Sequence, residues 1–387
     1  MPSAIHSAHI CHLTVLNPAV HSRIFFKEAL SQVAAGYRVT VIGQDPSAQP
    51  YEREGVQIVP TGTFGRLSRA RFSARKKILK LAFDQSADVY QVHSPELLGV
   101  AQKLKAARPN ARFIYDMHEN YAQNILHGGY YPGWVKGWLA RRVQKAEANF
   151  QSWGDGVMYA EDCFAGLADV EGRTAFVRNK FCAPVRTRKP LVLAEKGTPL
   201  MLYTGTIAEN WGIFHALDLW AALNRRRPVN LFVAGHTHDK ALLARLHQYV
   251  SDSGIDHRFS MVEGEGYVPY ETVVDLIRQC TFGVAPYALR QNIRDRIPTK
   301  FYEFMAFRKP LLFSENPPWN ALNARLDFGR PTHWPLSEPQ IDALASQLDH
   351  PAAHFYQKPL DPAEYRWDAE ADNMLALLKT VLSETNS

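Results

Sequence analysis

The sequence has few cysteines and no long hydrophobic run. Its 387 residues include only Cys11, Cys163, Cys182 and Cys280, which lie far apart and in no zinc-ligand spacing. We therefore expect reduced thiols packed as small hydrophobic side chains, and no metal centre. No run of eighteen apolar residues is present, and the N-terminus lacks the charged-then-apolar order of a secretory signal. These absences predict a cytoplasmic protein that does not span a membrane.

Two common cofactor signatures are also incomplete. The stretch EGEGYVPYE lacks the third glycine of a dinucleotide fingerprint, and the sequence HEN lacks the second histidine of a zinc-binding HExxH helix. Neither stretch therefore predicts a dinucleotide or a metal.

Length and hydrophobic content predict two domains, because 387 residues with 46% hydrophobic content exceed what a single core usually holds. Short β-rich segments alternate with longer helical ones, which is typical of parallel sheets covered by helices. The β-rich segments are HICHLTVL, YRVTVIG, VQIVP, DVYQVH, RFIYDMH and GVMYA, then LMLYTG, VNLFVAG, FSMVEG, FGVAPY and PLLFS. Between the two sets lies a stretch rich in Pro, Lys and Arg. We predict an α/β protein with two Rossmann-like doubly wound domains facing a cleft, residues 1–189 and 190–362.

Residues 286–314, PYALRQNIRDRIPTKFYEFMAFRKPLLFS, have the features of an anion site. Pro298 predicts the first turn of a helix that begins near Thr299, since a helix start does not need the amide donor that proline lacks. Lys300 and Glu303 then lie about one turn apart. The helix-start amides and the Lys300 ammonium can bind phosphate, and Glu303 can accept hydrogen bonds from ribose hydroxyls. The alternative is a solvated Lys–Glu pair on a helix surface.

This segment resembles the C-terminal motif of family 4 glycosyltransferases, which have the two-domain GT-B fold and carry an acid, seven intervening positions and a glutamate. Asp295 stands at the first acidic position, where the family usually has Glu, and Glu303 stands at the second. The resemblance implies that Asp295 contacts the transferred sugar, and that Thr299, Lys300 and Glu303 bind the nucleotide part of the donor. It also implies a last helix, within residues 363–387, that returns to the first domain.

A second donor segment is LMLYTGTIAENWGI, which resembles the family's YxGxxxxxxG segment. It places Gly205 and Thr206 in a strand-to-helix turn, where glycine lets backbone amides approach a pyrophosphate. The family often has a basic residue before the second glycine, whereas this chain has Trp211. The predicted phosphate site therefore lacks one cation.

Two loops complete the predicted donor site. The arginines of the first loop, among them Arg290 and Arg294, can supply the missing cation or can form a solvated basic loop. The second loop contains Tyr267 and Val268. Because the equivalent loop of similar enzymes recognises the nucleotide base, the resemblance assigns these two residues to the base.

In the first half, KEALSQVAAGYRVTVI, DVYQVHSPELLG and RFIYDMHENY resemble segments of the same family. The resemblance implies that His118 approaches the sugar hydroxyls near the reacting carbon, so we predict a catalytic role for it alongside Asp295 and Glu303. Asp116 and Glu119 can orient its ring, although a histidine at a strand end can also be purely structural. The family's glycine-rich loop is absent and a loop with His21 replaces it. We predict His21, His93 and Glu119 on the acceptor side.

Positive charge is concentrated in two regions of the first half. Residues 66–80 contain seven Lys and Arg, and GWVKGWLARRVQKAEANF places Trp134 and Trp138 among four more. Basic residues beside Trp and Leu at helical spacing predict peripheral contact with an anionic membrane. A core-facing helix with a solvated basic back is the alternative. Since no nucleic-acid motif accompanies the charge, we predict no nucleic-acid partner.

Taken with these residues, the resemblance implies a retaining glycosyltransferase of polysaccharide biosynthesis that uses a UDP- or GDP-sugar and a glycan or lipid-linked acceptor. No cofactor or metal is expected to be required, because helix amides, Lys300 and the arginines supply positive charge for the leaving diphosphate. Two alternatives stay open. One is a nucleotide-sugar epimerase or hydrolase on the same scaffold, and the other is a non-catalytic relative that binds a nucleotide or a partner protein.

Overall fold

The computed structural model describes residues 8–65, 68–128, 131–184, 189–193, 197–262, 268–291 and 293–383. The chain divides into two compact units. Unit 1 comprises Met1–Cys182 and Trp367–Ser387, and unit 2 comprises Ala183–Arg366. Each unit is a parallel sheet covered by helices, as the alternating sequence pattern predicts.

In its described residues, unit 1 contains an eight-stranded sheet in the order β3-β4-β2-β1-β5-β6-β7-β8. Only β3 runs antiparallel to its neighbour. The strands are β1 (His9–Pro18), β2 (Arg38–Gln44), β3 (Tyr51–Arg53), β4 (Val56–Pro60), β5 (Val89–Val92), β6 (Arg112–Met117), β7 (Gly156–Tyr159) and β8 (Thr174–Phe176). The helices are α1 (Leu30–Ala34), α2 (Arg69–Gln85), α3 (Leu98–Ala107), α4 (Tyr121–His127) and α5 (Gly133–Phe150). A π-helical segment spans Ile24–Ala29, and 3₁₀ turns span Pro95–Leu97 and Asp162–Phe164.

Unit 2 has a six-stranded parallel sheet among its described residues, in the order β11-β10-β9-β12-β13-β14. The strands are β9 (Leu200–Thr206), β10 (Asn230–His236), β11 (Phe259–Val262), β12 (Phe282–Ala285), β13 (Leu311–Ser314) and β14 (Gly329–Thr332). The helices are α6 (Ile213–Asn224), α7 (Lys240–Asp252), α8 (Tyr270–Gln279), α9 (Thr299–Ala306), α10 (Pro317–Leu326), α11 (Glu338–Gln347) and α12 (Pro362–Tyr365). Further 3₁₀ turns span Glu209–Trp211, Asp256–Arg258 and Pro351–Ala353.

The last helix, α13 (Asp368–Ser383), belongs to unit 1 and packs on β7 and β8. Strand alternation explains this packing, because successive side chains of β1 point to opposite faces of the sheet. Cys11 and Leu13 pack in the cluster formed with α2, α3 and α5, whereas Ile10 packs in the cluster formed with α13. Both clusters consist of buried hydrophobic side chains, and each buried Leu or Ile contributes about 1.5–3 kcal/mol. The predicted return of the last helix is confirmed.

Three details differ from the sequence predictions. The short edge strands β3, β8 and β14 carry no apolar alternation, and the sequence does not predict them. Pro298 precedes the first helical residue of α9 instead of lying within the first turn; its φ of −59° and ψ of 136° are extended. Cys163 is exposed and so is not packed as a small hydrophobe, whereas Cys11 and Cys280 are buried.

Strand order marks one position in each sheet where a ligand is expected. In unit 1 the chain leaves β1 toward β2 and later returns to β5 on its other side. In unit 2 the chain leaves β9 toward β10 and returns to β12. Ligands of open α/β sheets bind outside the carboxyl ends of the strands at such switch points. The two candidate sites below lie at these positions.

Candidate functional site

The unit 1 site is built on a fully buried pair of opposite charges. Asp116, near the end of β6, accepts hydrogen bonds from Arg23 Nε at 3.0 Å and from Arg23 Nη2 at 2.7 Å. Arg23 Nη1 also donates to the carbonyl oxygen of Val177 at 2.9 Å. Although burial alone would raise it, the Arg23 guanidinium and two histidine donors hold the pKa of Asp116 well below its usual range. Asp116 is therefore an ionised acceptor.

His118 lies above this carboxylate, at the carboxyl end of β6. Its Nδ1 is 3.2 Å from Asp116 Oδ2, and its Nε2 is 3.1 Å from Asn17 Nδ2 and 3.3 Å from the Tyr121 hydroxyl. Since ionised Asp116 can only accept, it fixes the proton of His118 on Nδ1. The Nε2 lone pair then accepts from the Asn17 amide. A sugar hydroxyl is the kind of donor that could take the place of that amide.

His93 forms a buried layer beneath His118. Its Nδ1 is 2.9 Å from Asp116 Oδ2, and its Nε2 is 2.9 Å from His12 Nδ1. Burial lowers the pKa of His93 and lowers that of His12 to about 3, so both rings are neutral. The predicted acceptor contact of His93 is not supported, because the side chain is completely buried. It positions Asp116 instead.

A second carboxyl group closes the network. Glu28, in the π-helical segment, accepts a hydrogen bond from Gln91 at 2.5 Å and lies 2.8 Å from Arg23 Nε. Burial, reinforced by Asp116, raises the pKa of Glu28 well above its usual range.

Among the described residues, two sets of three bring possible metal ligands within 4.8 Å. They are His12 with Glu28 and His93, and His93 with Asp116 and His118. Their polar atoms already hydrogen-bond within this network.

The other two predicted acceptor-side residues lie at the same edge of unit 1. His21 is half-buried, its ring centroid is 6.3 Å from that of His118, and burial lowers its pKa to about 3. The Oε2 of Glu119 accepts a hydrogen bond from Asn124 Nδ2 at 2.6 Å. The carboxylate that orients His118 is Asp116.

The unit 2 site is built around Lys300, in the first turn of α9. Its side chain is nearly buried, and its Nζ donates to the carbonyl oxygen of Thr204 at 2.5 Å. The ammonium also lies 5.2 Å from the ring centroid of Tyr203 and 4.9 Å from that of Tyr287. Burial lowers the pKa of Lys300 to about 7, partly offset by the carboxylate of Glu303.

The end of β9 lies against this lysine. Gly205 and Thr206, predicted to lie in a strand-to-helix turn, are instead the last two residues of β9 and pair with Gly235 and His236 of β10. A Cβ added to Gly205 would be 3.9 Å from Lys300 Nζ, and Gly205 has a φ of +99° that favours glycine. The Tyr203 hydroxyl donates to the carbonyl oxygens of Thr206 at 2.9 Å and Trp211 at 3.1 Å, which fixes the turn. The structure thus brings together Gly205, Thr206 and Lys300, which are almost a hundred positions apart in the sequence.

The second glycine of this turn is needed for close packing. Gly212, at the start of α6, has a φ of +75°, and a Cβ there would lie 1.9 Å from the carbonyl oxygen of Pro286. The neighbouring Trp211 stacks edge-on against Tyr287, with ring centroids 4.6 Å apart. Trp211 therefore supports one of the two rings that surround Lys300, at the position where the family often has a cation.

The remaining predicted donor residues are more dispersed. Glu303 is nearly buried and Thr299 is half-buried at the start of α9. Arg290 and Arg294 are exposed, and Arg294 Nε lies 3.5 Å from the carboxylate of Asp295, which is 55% exposed. Val268, which precedes α8, is half-buried, and Tyr267 lies outside the described residues.

Sequence reasoning missed Arg23, Glu28, Gln32 and Tyr121. Charged residues are rarely buried, so Arg23 and Glu28 are not expected in a core. The one available signal is the segment IFFKEA, where charged side chains stand beside large apolar ones. Gln32 Oε1 is 2.6 Å from His12 Nε2, which extends the network from α1 into β1.

Comparisons with known proteins agree with this architecture. Residues 27–173 match the family described as Glycosyl transferase 4-like domain. The fold resembles sucrose-phosphate synthase from Thermosynechococcus elongatus, with 14% identity, a TM-score of 0.71, and coverage of 97% of this chain and 100% of that chain. It also resembles HepE from Anabaena in complex with UDP and glucose, with 13% identity, a TM-score of 0.61, and coverage of 97% and 99%.

A third similar structure is the lipopolysaccharide outer core galactosyltransferase WaaB in its apo form, with 13% identity, a TM-score of 0.56, and coverage of 96% and 99%. A search of curated proteins found no match. The family match in unit 1 and the fold likeness over both units agree with each other. The chain therefore has the GT-B fold, and residues 27–173 match the glycosyl transferase 4-like family.

Proposed function

We propose that the protein transfers a sugar from a nucleoside-diphosphate sugar to a glycan or lipid-linked acceptor during polysaccharide assembly. The observation that carries this proposal is Lys300, a buried cation at the switch point of unit 2 that lies against Gly205 near the end of β9. Such a cation, next to a glycine that exposes its backbone, is suited to an anionic diphosphate.

On the donor side, Lys300 and the amides at the start of α9 would bind the diphosphate and stabilise it as it leaves. A diphosphate next to Lys300 would raise the pKa of its ammonium, because opposite charges favour the charged form. Glu303 would accept hydrogen bonds from the ribose hydroxyls. Arg290 and Arg294 are candidates for the outer phosphate contacts, Val268 and Tyr267 for the base, and Asp295 for the transferred sugar.

On the acceptor side, His118 would accept a hydrogen bond from a sugar hydroxyl through its unprotonated Nε2. Asp116 and Arg23 hold the ring in that tautomer. We propose transfer with retention of the anomeric configuration. The bond between the anomeric carbon and the diphosphate oxygen breaks, a bond to the acceptor oxygen forms, and the acceptor proton passes to the departing diphosphate.

The similar HepE structures were determined with UDP and with UDP-glucose, and they supply the first donor to test. The experiment is calorimetric titration of the purified protein with UDP, GDP, ADP and their sugar conjugates. A variant with Lys300→Met and Glu303→Gln should bind about 10- to 100-fold more weakly, the effect of losing hydrogen bonds to charged groups. The control variant is Lys240→Ala, an exposed lysine of unit 2, which should bind as the wild type does.

No binding of any nucleotide by folded protein would contradict the proposal and would favour a non-catalytic relative. Product analysis separates the remaining alternative. A hydrolase or epimerase would release or isomerise the sugar without an acceptor, whereas a transferase should turn over the donor much faster when a glycan acceptor is added.

A further inference from the structure

Exposed aromatic side chains are concentrated on one helical surface of unit 1. Among the described residues, the exposed large aromatic side chains are Phe72 on α2 and Trp134 and Trp138 on α5, which are 62%, 86% and 52% exposed. Large aromatics are normally at least partly covered in a monomer, and exposed ones mark interaction sites.

The three aromatics belong to the same face and the same end of the sheet. Helices α2, α3 and α5 all contribute to one hydrophobic cluster on that face. Helix α2 precedes β5 and α5 precedes β7, so each helix ends where a strand of the sheet begins. The first turns of both helices therefore lie at the opposite edge of the sheet, where the strands have their carboxyl ends. Arg71, in the first turn of α2, forms an ion pair of 2.8 Å with Glu96 of the 3₁₀ turn Pro95–Leu97, and α5 packs against that same turn. The three side chains therefore lie on the two helices that contact the Pro95–Leu97 turn, at the edge of the sheet that also holds His118.

The same surface carries a dense excess of positive charge. Helices α2 and α5 together have ten Lys and Arg against two acids, an excess larger than the net charge of +6 of the whole chain. One of the acids, Glu147, is buried and accepts a hydrogen bond from the Tyr115 hydroxyl at 3.0 Å. The other, Asp84, lies at the far end of α2. The aromatic end of the surface has no exposed acid of α2 or α5 beside it.

Helical spacing places the aromatic and cationic side chains of α5 in one stripe. Trp134 and Trp138 are four positions apart, and Arg141, Arg142 and Lys145 continue the same exposed face. The Arg142 guanidinium lies 4.8 Å from the Trp138 ring centroid. Trp rings with a polar edge, next to Lys and Arg, are the side chains that anchor proteins at the lipid headgroup level.

We propose that this surface, formed by Phe72, Trp134, Trp138 and the exposed cations of α2 and α5, docks on an anionic lipid bilayer. Charge complementarity selects the occupant, because a dense cationic surface is attracted to anionic headgroups and repelled by a second copy of itself. No helix among the described residues is long and apolar enough to cross a membrane, so the contact is peripheral. Docking here would place the His118 edge of unit 1 next to acceptors held in the bilayer.

The inference rests on the proposed function only where it explains what the membrane contact is for. Lipid binding itself needs neither donor nor acceptor. The test is co-sedimentation of the full-length protein with phosphatidylcholine vesicles and with vesicles that also contain phosphatidylglycerol. Wild-type protein should bind the anionic vesicles at least about tenfold more tightly, and added salt should weaken binding. Nucleotide binding measured in parallel by calorimetry reports on the donor site alone.

Two variants separate the aromatic and the charge contributions. Trp134→Ala with Trp138→Ala, and Lys76→Glu with Lys77→Glu, should each weaken binding to anionic vesicles by about tenfold or more. The matched control is Val192→Ala with Lys240→Glu, an exposed apolar residue and an exposed cation of unit 2, which should bind like wild type. Wild-type protein that stays in solution with both vesicle types would overturn the proposal. So would a dimer in solution that the tryptophan variant abolishes.

Discussion

Each unit has a buried cation at the switch point of its sheet, Arg23 in unit 1 and Lys300 in unit 2, and these two cations are stabilised in opposite ways. Arg23 in unit 1 has the ionised carboxylate of Asp116 and the carboxyl group of Glu28 against its guanidinium. Lys300 in unit 2 has a backbone carbonyl and the faces of two tyrosine rings. Although burial alone would lower it, the carboxyl groups raise the pKa of Arg23, whereas burial lowers the pKa of Lys300 to about 7.

This difference separates a positioning role from a binding role. The charge of Arg23 is already neutralised by a bidentate carboxylate, so it holds Asp116 and through it His118. The contacts of the Lys300 ammonium replace only part of the hydration that it lost on burial. A diphosphate bound next to it would therefore stabilise its charged form. Unit 1 thus presents a preorganised polar network, and unit 2 presents a cation suited to an anionic ligand.

The largest expected effect is that of removing the unit 1 cation. Arg23→Met leaves the carboxylate of Asp116 buried without its partner, which typically costs about 3–5 kcal/mol. We expect a loss of this size in the free energy of unfolding, measured by urea denaturation. The control is Arg245→Met, which removes an exposed ion pair with Glu209 and should cost less than about 1 kcal/mol. Equal losses in the two variants would contradict the assignment of Arg23 to the network.

The unit 2 cation should make stability depend on pH. The folded-state pKa of Lys300 is lowered from 10.5 to about 7, so between these values the unfolded state binds more protons. The free energy of unfolding therefore rises with pH through this window, and the contribution from Lys300 is lost as pH falls toward 7. From pH 7 to pH 9 the contribution amounts to about 2 kcal/mol. Urea unfolding at several pH values should show this rise in the free energy of unfolding for the wild type and not for Lys300→Met. If the free energies of the two proteins changed with pH in parallel, the prediction would be contradicted.

The sequence predicts the repeated β/α order and the start of α9 well, because both depend on local patterns. Short β-rich segments between helical ones identify most strands of both sheets, and Pro298 followed by Thr299 marks the helix start. The polar network of unit 1 depends instead on long-range contacts. Arg23 and Asp116 are 93 positions apart, and a π-helical segment with buried charges has no periodicity that distinguishes it from a surface helix.

The smallest expected effects come from two tyrosine hydroxyls that support the sites. Tyr121 donates to the carbonyl oxygen of His93 at 3.2 Å beside His118, and Tyr203 donates to the turn of Thr206 and Trp211 beside Lys300. Replacing either by Phe removes hydrogen bonds worth about 1 kcal/mol without removing a ring. If unit 1 positions the sugar and unit 2 binds the donor, one variant should change the nucleotide affinity and the other should change kcat.

We expect Tyr203→Phe to weaken nucleotide binding by about fivefold in calorimetry, since about 1 kcal/mol corresponds to that ratio. Tyr121→Phe should leave nucleotide affinity unchanged and lower kcat by a similar factor, measured as release of the nucleoside diphosphate with donor and acceptor present. The same pattern in both variants would mean that the two networks act as one site. A separation of the two constants would locate donor affinity at the end of β9 and sugar positioning at the Asp116–His118 pair, because Tyr203 forms its hydrogen bonds with Thr206 and Trp211, and Tyr121 with His93 and His118.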